Sequence, residues 1–323
     1  MVRAANPPAH QTDIRSREVA PVRTNRVSRA WRRDKHLYAL FTLPVIYFAV
    51  FQYAPMYGVL LAFMDYSVSR GILGSPWVGL DNFRDFFDDP YSWKLIRNTF
   101  VINIYQIVFG FPIPIILAVL FNELRSERFR RSVQTVSYLP HFIAPVVIAG
   151  MITSFLATDG IINQITGAVG ITPRLWLLDA DWFRTIFVSA EIWQSAGWGA
   201  IIYLAAIAAI DTTLYEAAWV DGANRWQRII DVTLPSIAPT ITVLFLLRLG
   251  AMMTLDYQKI LLLYTGATRE TADVLGTYIY RRGLEGSDFS YATTVGLFQA
   301  LVGLIFVVSS NAIARRLSDS SLW

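Results

Sequence analysis

The chain of 323 residues contains no cysteine, which excludes disulfides, thiolate nucleophiles and cysteine-ligated zinc. It is also poor in charge. Only 16% of its residues are Asp, Glu, Lys or Arg and 54% are hydrophobic, whereas a soluble domain carries about 25% charged residues. The deficit is uneven: residues 37–64, 98–122, 132–158 and 289–314 include no charged side chain at all. Each of these windows exceeds the roughly 20 apolar residues a helix needs to cross about 30 Å of hydrocarbon. The dipeptide Gly-Lys is missing too, and with it the phosphate loop Gly-x-x-x-x-Gly-Lys-Ser/Thr. No metal-ligand spacing, Ser/His/Asp set or paired carboxylate is present, so no catalytic or metal-binding residue is assigned. A net charge of +4 and a pI near 9.3 would suit nucleic acid in a soluble protein. In a membrane protein basic loops set orientation instead, and nucleic acid is excluded as a partner.

Two further apolar stretches carry isolated charges: 185–210 holds Glu191, and 240–264 holds Arg248, Asp256 and Lys259. The expectation is an all-α polytopic protein with six transmembrane helices, at about 37–63, 98–121, 134–157, 185–210, 238–264 and 291–314. Residues 1–36 are polar, with nine Lys/Arg and with Pro7, Pro8 and Pro21. They lack the apolar core and small-residue cleavage site of a secretory signal, and read as a partly disordered arm before a permease domain over 37–314. Residues 315–323 form a short tail.

Basic residues choose the orientation. The arm has nine, loop 122–133 four, loop 211–237 two and the tail two. The opposite loops, 64–96, 158–184 and 265–290, hold eight over greater length, among many Asp and Glu. Both termini and loop 211–237 are therefore expected on the cytoplasmic side. Trp77, Phe83, Phe86, Phe87, Tyr91 and Trp93 gather between the first two spans, either as an interfacial segment or as simple loop packing.

The loop DTTLYEAAWVDGANRWQRIIDVTLPSIAP, residues 211–239, does not read as a plain connection. Thr212 or Thr213 offers a cap, and Glu216 stands at capping-box distance from Thr213. Gly222 marks a turn, and a second helix over 224–232 would end at Leu234-Pro235, where proline sets the angle of the next span. Ala217, Ala218, Gly222 and Ala223 lie between Tyr215, Trp219 and Trp226. This is either a surface a partner groove could accept or a helix resting on the membrane.

The spacing Glu216-Ala217-Ala218, then Gly222, Val232 and Leu234-Pro235, with Asp221 and Ala223 flanking the glycine, resembles the permease subunits of ATP-binding-cassette importers. Valine at 232, where isoleucine is commoner, is its one departure. PMYGVLLAFMDY (55–66), WVGLDNF (77–83), YLPHFIAPVVIAGM (138–151) and LLLYTGATRETADVLGTYIYRRGL (261–284) resemble the carbohydrate branch of that family, the polysaccharide and oligosaccharide permeases. The likeness runs from about residue 37 to the end.

It implies the type I importer permease fold in a cell inner membrane, a second homologous permease, two ATPase subunits that bind ATP and Mg, and an extracytoplasmic solute-binding protein. The cargo it implies is an oligo- or polysaccharide, acidic ones such as alginate among the candidates. It makes Glu216, Ala217, Ala218, Asp221, Gly222, Ala223, Leu234 and Pro235 the contact with the ATPase. The chain itself is expected to be no enzyme and to hold no cofactor.

Polar groups inside spans are costly against lipid and mark pathways. On that ground Tyr53, Asn103, Gln106, Trp193, Gln194, Trp198, Arg248, Asp256 and Tyr257 are candidates to line the path. Arg248 sits near mid-membrane, and Asp256, about 80° round the helix, is a candidate partner, directly or through span-four side chains. Arg248 reads as an ion pair, a channel-lining group or a substrate contact. His141 reads as packing near a helix break. The rival classes are an ion-coupled secondary transporter, whose inverted repeats are not evident here, and a membrane-embedded enzyme, for which the catalytic cluster is missing.

Overall fold

A computed structural model describes residues 35–317; the arm up to residue 34 and the tail beyond 317 lie outside them. The described chain is all-α. Its one non-helical pairing is an isolated bridge between Met64 and Trp77. Four helices are long and apolar enough to span a membrane: α1 (Lys35–Phe63), α3 (Pro90–Asn122), α9 (Arg225–Gly250) and α12 (Phe289–Leu317). Two bent pairs bring the number to six if each is one span. They are α4 (Glu127–Phe142) with α5 (Pro145–Phe155), at 102°, and α7 (Ala180–Ala208) with α8 (Thr212–Val220), at 72°. Shorter helices include α2 (Asp81–Asp88), α6 (Ile161–Ala168), α10 (Tyr257–Leu263) and α11 (Leu275–Ile279).

The chain divides into two compact units, Met1–Tyr57 and Gly58–Trp323. In the first, the residues of α1 are exposed, and Tyr47 lies against Phe48 and Phe51 at centroid distances of 5.8 and 5.1 Å. All further description concerns the second unit. Its aromatic segment before α3 is helical, as α2 shows: Phe86 is fully buried and Phe63 stacks on Trp77 at 5.6 Å.

The third span, expected over 134–157 with a helix break near His141, is broken between Phe142 and Pro145. Ala144 precedes Pro145 and is pushed into extended backbone, ψ 145°, because the proline ring clashes with a helical predecessor. The chain turns there. The fifth span also differs from the 238–264 reading: α9 stops at Gly250, and Ala251–Asp256 is not helical. Asp256 takes the N-cap of α10, accepting from the Lys259 N–H at 3.3 Å, the use for which a short carboxylate is preferred over a helix interior.

Small residues let backbones approach within the bundle. A Cβ on Gly250 would meet Val307 at 2.1 Å, and one on Gly303 would meet the Gly250 carbonyl at 2.9 Å. The tightest contact joins α7 to α4: a Cβ on Gly197 would sit 2.0 Å from the Ser137 carbonyl oxygen. Backbone cannot rotate out of the way as a side chain can. Gly197→Ala is therefore expected to destabilise the protein by about 1–3 kcal/mol, the usual cost of overpacking. Thermal unfolding in detergent measures this, and an unchanged midpoint refutes it.

Candidate functional site: a capped cytoplasmic-loop turn and a buried polar cluster

The loop after α7 is a rigid turn with a defined residue at each junction. Asp211, rather than either threonine, caps α8, accepting from the Thr213 N–H at 2.9 Å. That backbone bond and the Thr213 hydroxyl hold its carboxyl below the usual aspartate range. The far end closes as a Schellman motif: Ala223 N–H donates to the Ala218 carbonyl (2.9 Å) and Gly222 N–H to that of Trp219 (3.0 Å). Gly222 has φ +82°, the left-handed conformation glycine adopts without cost.

The second helix does not end at Leu234-Pro235. Asn224 and Gln227 form a reciprocal capping box, a pairing readable in the Asn-x-x-Gln spacing and missed from sequence, and the helix runs on to Gly250 as α9. A widened π-turn at Ile229–Thr233 absorbs Pro235, whose missing N–H leaves a carbonyl free in the preceding turn. Tyr215 Oη and Thr233 Oγ1 lie 2.9 Å apart, tying α8 to α9, and Arg225 holds Glu123 at 3.0 Å, tying the turn to the end of α3. Glu216, Ala217, Asp221 and Gly222 are exposed, Ala218 and Ala223 half-buried. Trp219 and Trp226 are each 70% exposed and Val220 is 79% exposed. Exposed apolar side chains on so rigid a frame suit a protein contact.

Within the spans, a second π-turn at Gln106–Gly110 of α3 presents Gln106 to Arg248. Arg248 Nη2 donates to Asn103 Oδ1 at 3.1 Å and to Gln106 Oε1. Gln106 and Arg248 border a cavity of about 280 Å³ that is lined also by Gly110, Phe111, Glu191, Ile192 and Ser195. Lys259, 2% exposed, donates to Glu191 and to Gln194 Oε1 and stands 3.6 Å from Asp256. Gln194 Nε2 donates in turn to the Ile143 carbonyl at 3.0 Å, at the break of the third span.

The bridge between Arg248 and Asp256 considered from sequence is not formed, because the break after Gly250 ends the shared helix that would align them. The structure thus brings Asn103, Gln106, Gln194, Arg248 and Asp256 into one neighbourhood and disperses the aromatics. Trp198 stacks on His141 at 4.8 Å, so His141 packs at the helix break. Trp193 lines a separate apolar cavity of about 890 Å³ with Phe155, Trp176 and Trp182. Tyr257 lies against Tyr280 at 6.0 Å. Tyr53 belongs to the first unit and is 70% exposed.

Sequence reading passed over a second polar knot at the opposite end of α3. Asp273, fully buried, accepts from Arg281 twice, at 2.5 and 2.9 Å, and from Thr277 at 2.6 Å and Tyr91. Burial by itself would lower the Arg281 pKa; the hydrogen bonds it donates to Asp273 and Tyr264, with the Asp273 charge, outweigh it and raise the value. Asn98 donates to the Glu270 and Asp273 carbonyls at 2.8 and 3.0 Å. The signal in the sequence was an Asp eight residues before Arg281, too weak to single out.

A polytopic helical protein with polar groups gathered at mid-span and a packable two-helix turn between spans is a membrane transport subunit. The chain belongs to the binding-protein-dependent transport system inner membrane components, the permeases of ATP-binding-cassette importers, whose sequence pattern matches residues 110–320. It is 41% identical over 292 residues to the polygalacturonan/rhamnogalacturonan transport system permease protein YteP of Bacillus subtilis (strain 168), covering 90% of this chain and 91% of that one. It also superposes on a chain of a bacterial ABC transporter involved in the import of the acidic polysaccharide alginate, with TM-score 0.84 and 42% identity, covering 91% of this chain and 100% of that one. A crystal structure of a bacterial alginate ABC transporter in complex with alginate pentasaccharide-bound periplasmic protein matches equally, with TM-score 0.84, 41% identity, and 92% and 100% coverage.

Proposed function

We propose that the chain forms half of the translocation path of an ATP-driven importer for an acidic oligo- or polysaccharide. It pairs with a second homologous permease, receives cargo from an extracytoplasmic solute-binding protein, and is driven by two ATPase subunits that bind ATP and Mg. The observation carrying this reading is the likeness over 91% of the chain to a chain of the alginate importer, joined by a relative named for polygalacturonan/rhamnogalacturonan transport; alginate and polygalacturonan are polymers of sugar carboxylates. Charge counts support placing both termini and the turn of α8 on the cytoplasmic side. There Glu216, Ala217, Ala218, Asp221, Gly222, Ala223, Leu234 and Pro235 form the contact with the ATPase. ATP-driven closure of the ATPase pair then shifts the permease between inward- and outward-open states through that rigid turn. The path is lined by Asn103, Gln106, Gln194, Arg248 and Asp256.

Purification of the tagged chain from its own cells should bring a second permease and an ATPase. ATP hydrolysis by that complex in proteoliposomes should rise when binding protein loaded with alginate or galacturonate oligosaccharides is added. Hydrolysis indifferent to every loaded oligosaccharide overturns the reading. The chain's lack of cysteine makes topology testable with single introduced cysteines: one at Ala217 should be labelled only from the cytoplasmic face.

A further inference from the structure

Arg248 is held in an unusual way for a cation inside a span. Its protein partners are the neutral amides of Asn103 and Gln106, both engaged by Nη2. Among the described residues no carboxylate comes within ion-pair distance of its guanidinium. Amides satisfy N–H donors without cancelling the charge, and Nε and Nη1 are left to donate.

An obvious neutralising partner is close by. Glu191 lines the same 280 Å³ cavity, on the facing helix α7. It is taken instead by Lys259, which reaches it from α10, across the break that follows Gly250. Lys259 is itself gripped by Gln194 and flanked by Asp256 at 3.6 Å, and its side chain is 3% exposed against 22% for Glu191. The buried lysine therefore stays in place and the carboxylate stays with it. The break in the fifth span makes this possible: on one continuous helix Arg248 and Lys259 could not approach Glu191 from separate elements.

We infer that Lys259 is a positioning residue that keeps Glu191 off Arg248, so that the Arg248 guanidinium is free to take the carboxylate of a uronate sugar passing through the cavity. The inference rests on the proposed cargo class. It adds which residue reads the acid group and which residue keeps that reader available. Arginine suits the task because its planar fork matches a carboxylate. A neutral sugar would gain nothing from it.

The test uses the whole transporter in proteoliposomes, with a galacturonate trisaccharide and its carboxyl-reduced neutral analogue delivered by saturating binding protein. Lys259→Gln releases Glu191 to pair with Arg248. Maximal uptake of the uronate should fall roughly ten- to hundredfold, the range a charge-assisted hydrogen bond spans, while uptake of the neutral analogue is unchanged. Arg248→Gln should show the same selective loss. Glu191→Gln combined with Lys259→Gln removes the competing carboxylate and should restore uronate uptake. The half-saturating concentration of binding protein should not move in any variant, since docking lies outside the cavity. If the parent complex takes up neither sugar, the cargo reading fails and this inference with it. If the parent takes up the uronate and Lys259→Gln does so equally well, the inference alone is overturned. A loss of both sugars that the double variant does not repair assigns Lys259 to structure only, and overturns it too.

Discussion

Gly222→Trp should leave the permease folded and abolish its ability to stimulate ATP hydrolysis. Two terms contribute. The backbone at Gly222 is left-handed, φ +82°, and any L side chain there costs about 1–2 kcal/mol, loosening the Schellman closure of α8. The second term is bulk. Nothing in the chain lies within 4 Å of a Cβ at this position, so an indole projects outward, onto the surface proposed to meet the ATPase. Gly222→Ala carries the backbone strain with almost none of the bulk, and Ala217→Trp carries bulk in a helix with no left-handed strain. The expected order of coupled ATPase activity is parent, then Gly222→Ala partly reduced, then both tryptophan variants near the unstimulated rate with less ATPase co-purifying. A Gly222→Trp complex still stimulated by loaded binding protein would remove the turn from the drive mechanism.

Asp273→Ala should be strongly destabilising. The carboxylate is fully buried and takes two bonds from Arg281 and one each from Thr277 and Tyr91. Removing it strands the Arg281 guanidinium, only 19% exposed, for which the cost is about 3–5 kcal/mol. Its partners reach α3 through Tyr91, and Asn98 adds bonds to the same segment's carbonyls, so the loss should unlock the chain between α10 and α12 from α3. Combining Asp273→Ala with Arg281→Met removes the stranded charge, and the pair should cost less than the sum of the single changes. Unfolding midpoints in detergent report both. A double variant at least as unstable as the sum would mean that the pair carries no charge coupling.

These two sites differ in how far they could be read from sequence. The turn at Gly222 was legible because its determinants are local: a glycine past an alanine-rich helix, small residues at fixed spacing, and basic loops that assign a side of the membrane. Even there the caps were misplaced. Asp211 and Asn224 do the capping, and the choice among Asp211, Thr212 and Thr213 depends on where α7 ends, which bundle packing decides. Asp273 was invisible because its partners come from residues 91 and 281, and nothing in a run of sequence marks which distant arginine a carboxylate will meet.

The spans show the same division. Composition by itself determined the class: windows without charge must cross a membrane as helices, since backbone groups in lipid can be satisfied in no other way by one such segment. It also showed that the dipeptide Gly-Lys, and with it the Gly-x-x-x-x-Gly-Lys-Ser/Thr loop, does not occur in these residues. Tertiary structure alone decided where the fifth span breaks, and from that break which cation meets Glu191. Hydrophobicity is a sum over neighbours in the chain and survives any packing. An ion pair between two helices depends on a difference of a few ångströms between alternatives that the sequence presents as equals. Arg248 and Lys259 look alike as charges in an apolar run; the turn between them separates a cation already spent on Glu191 from one left open to the cavity.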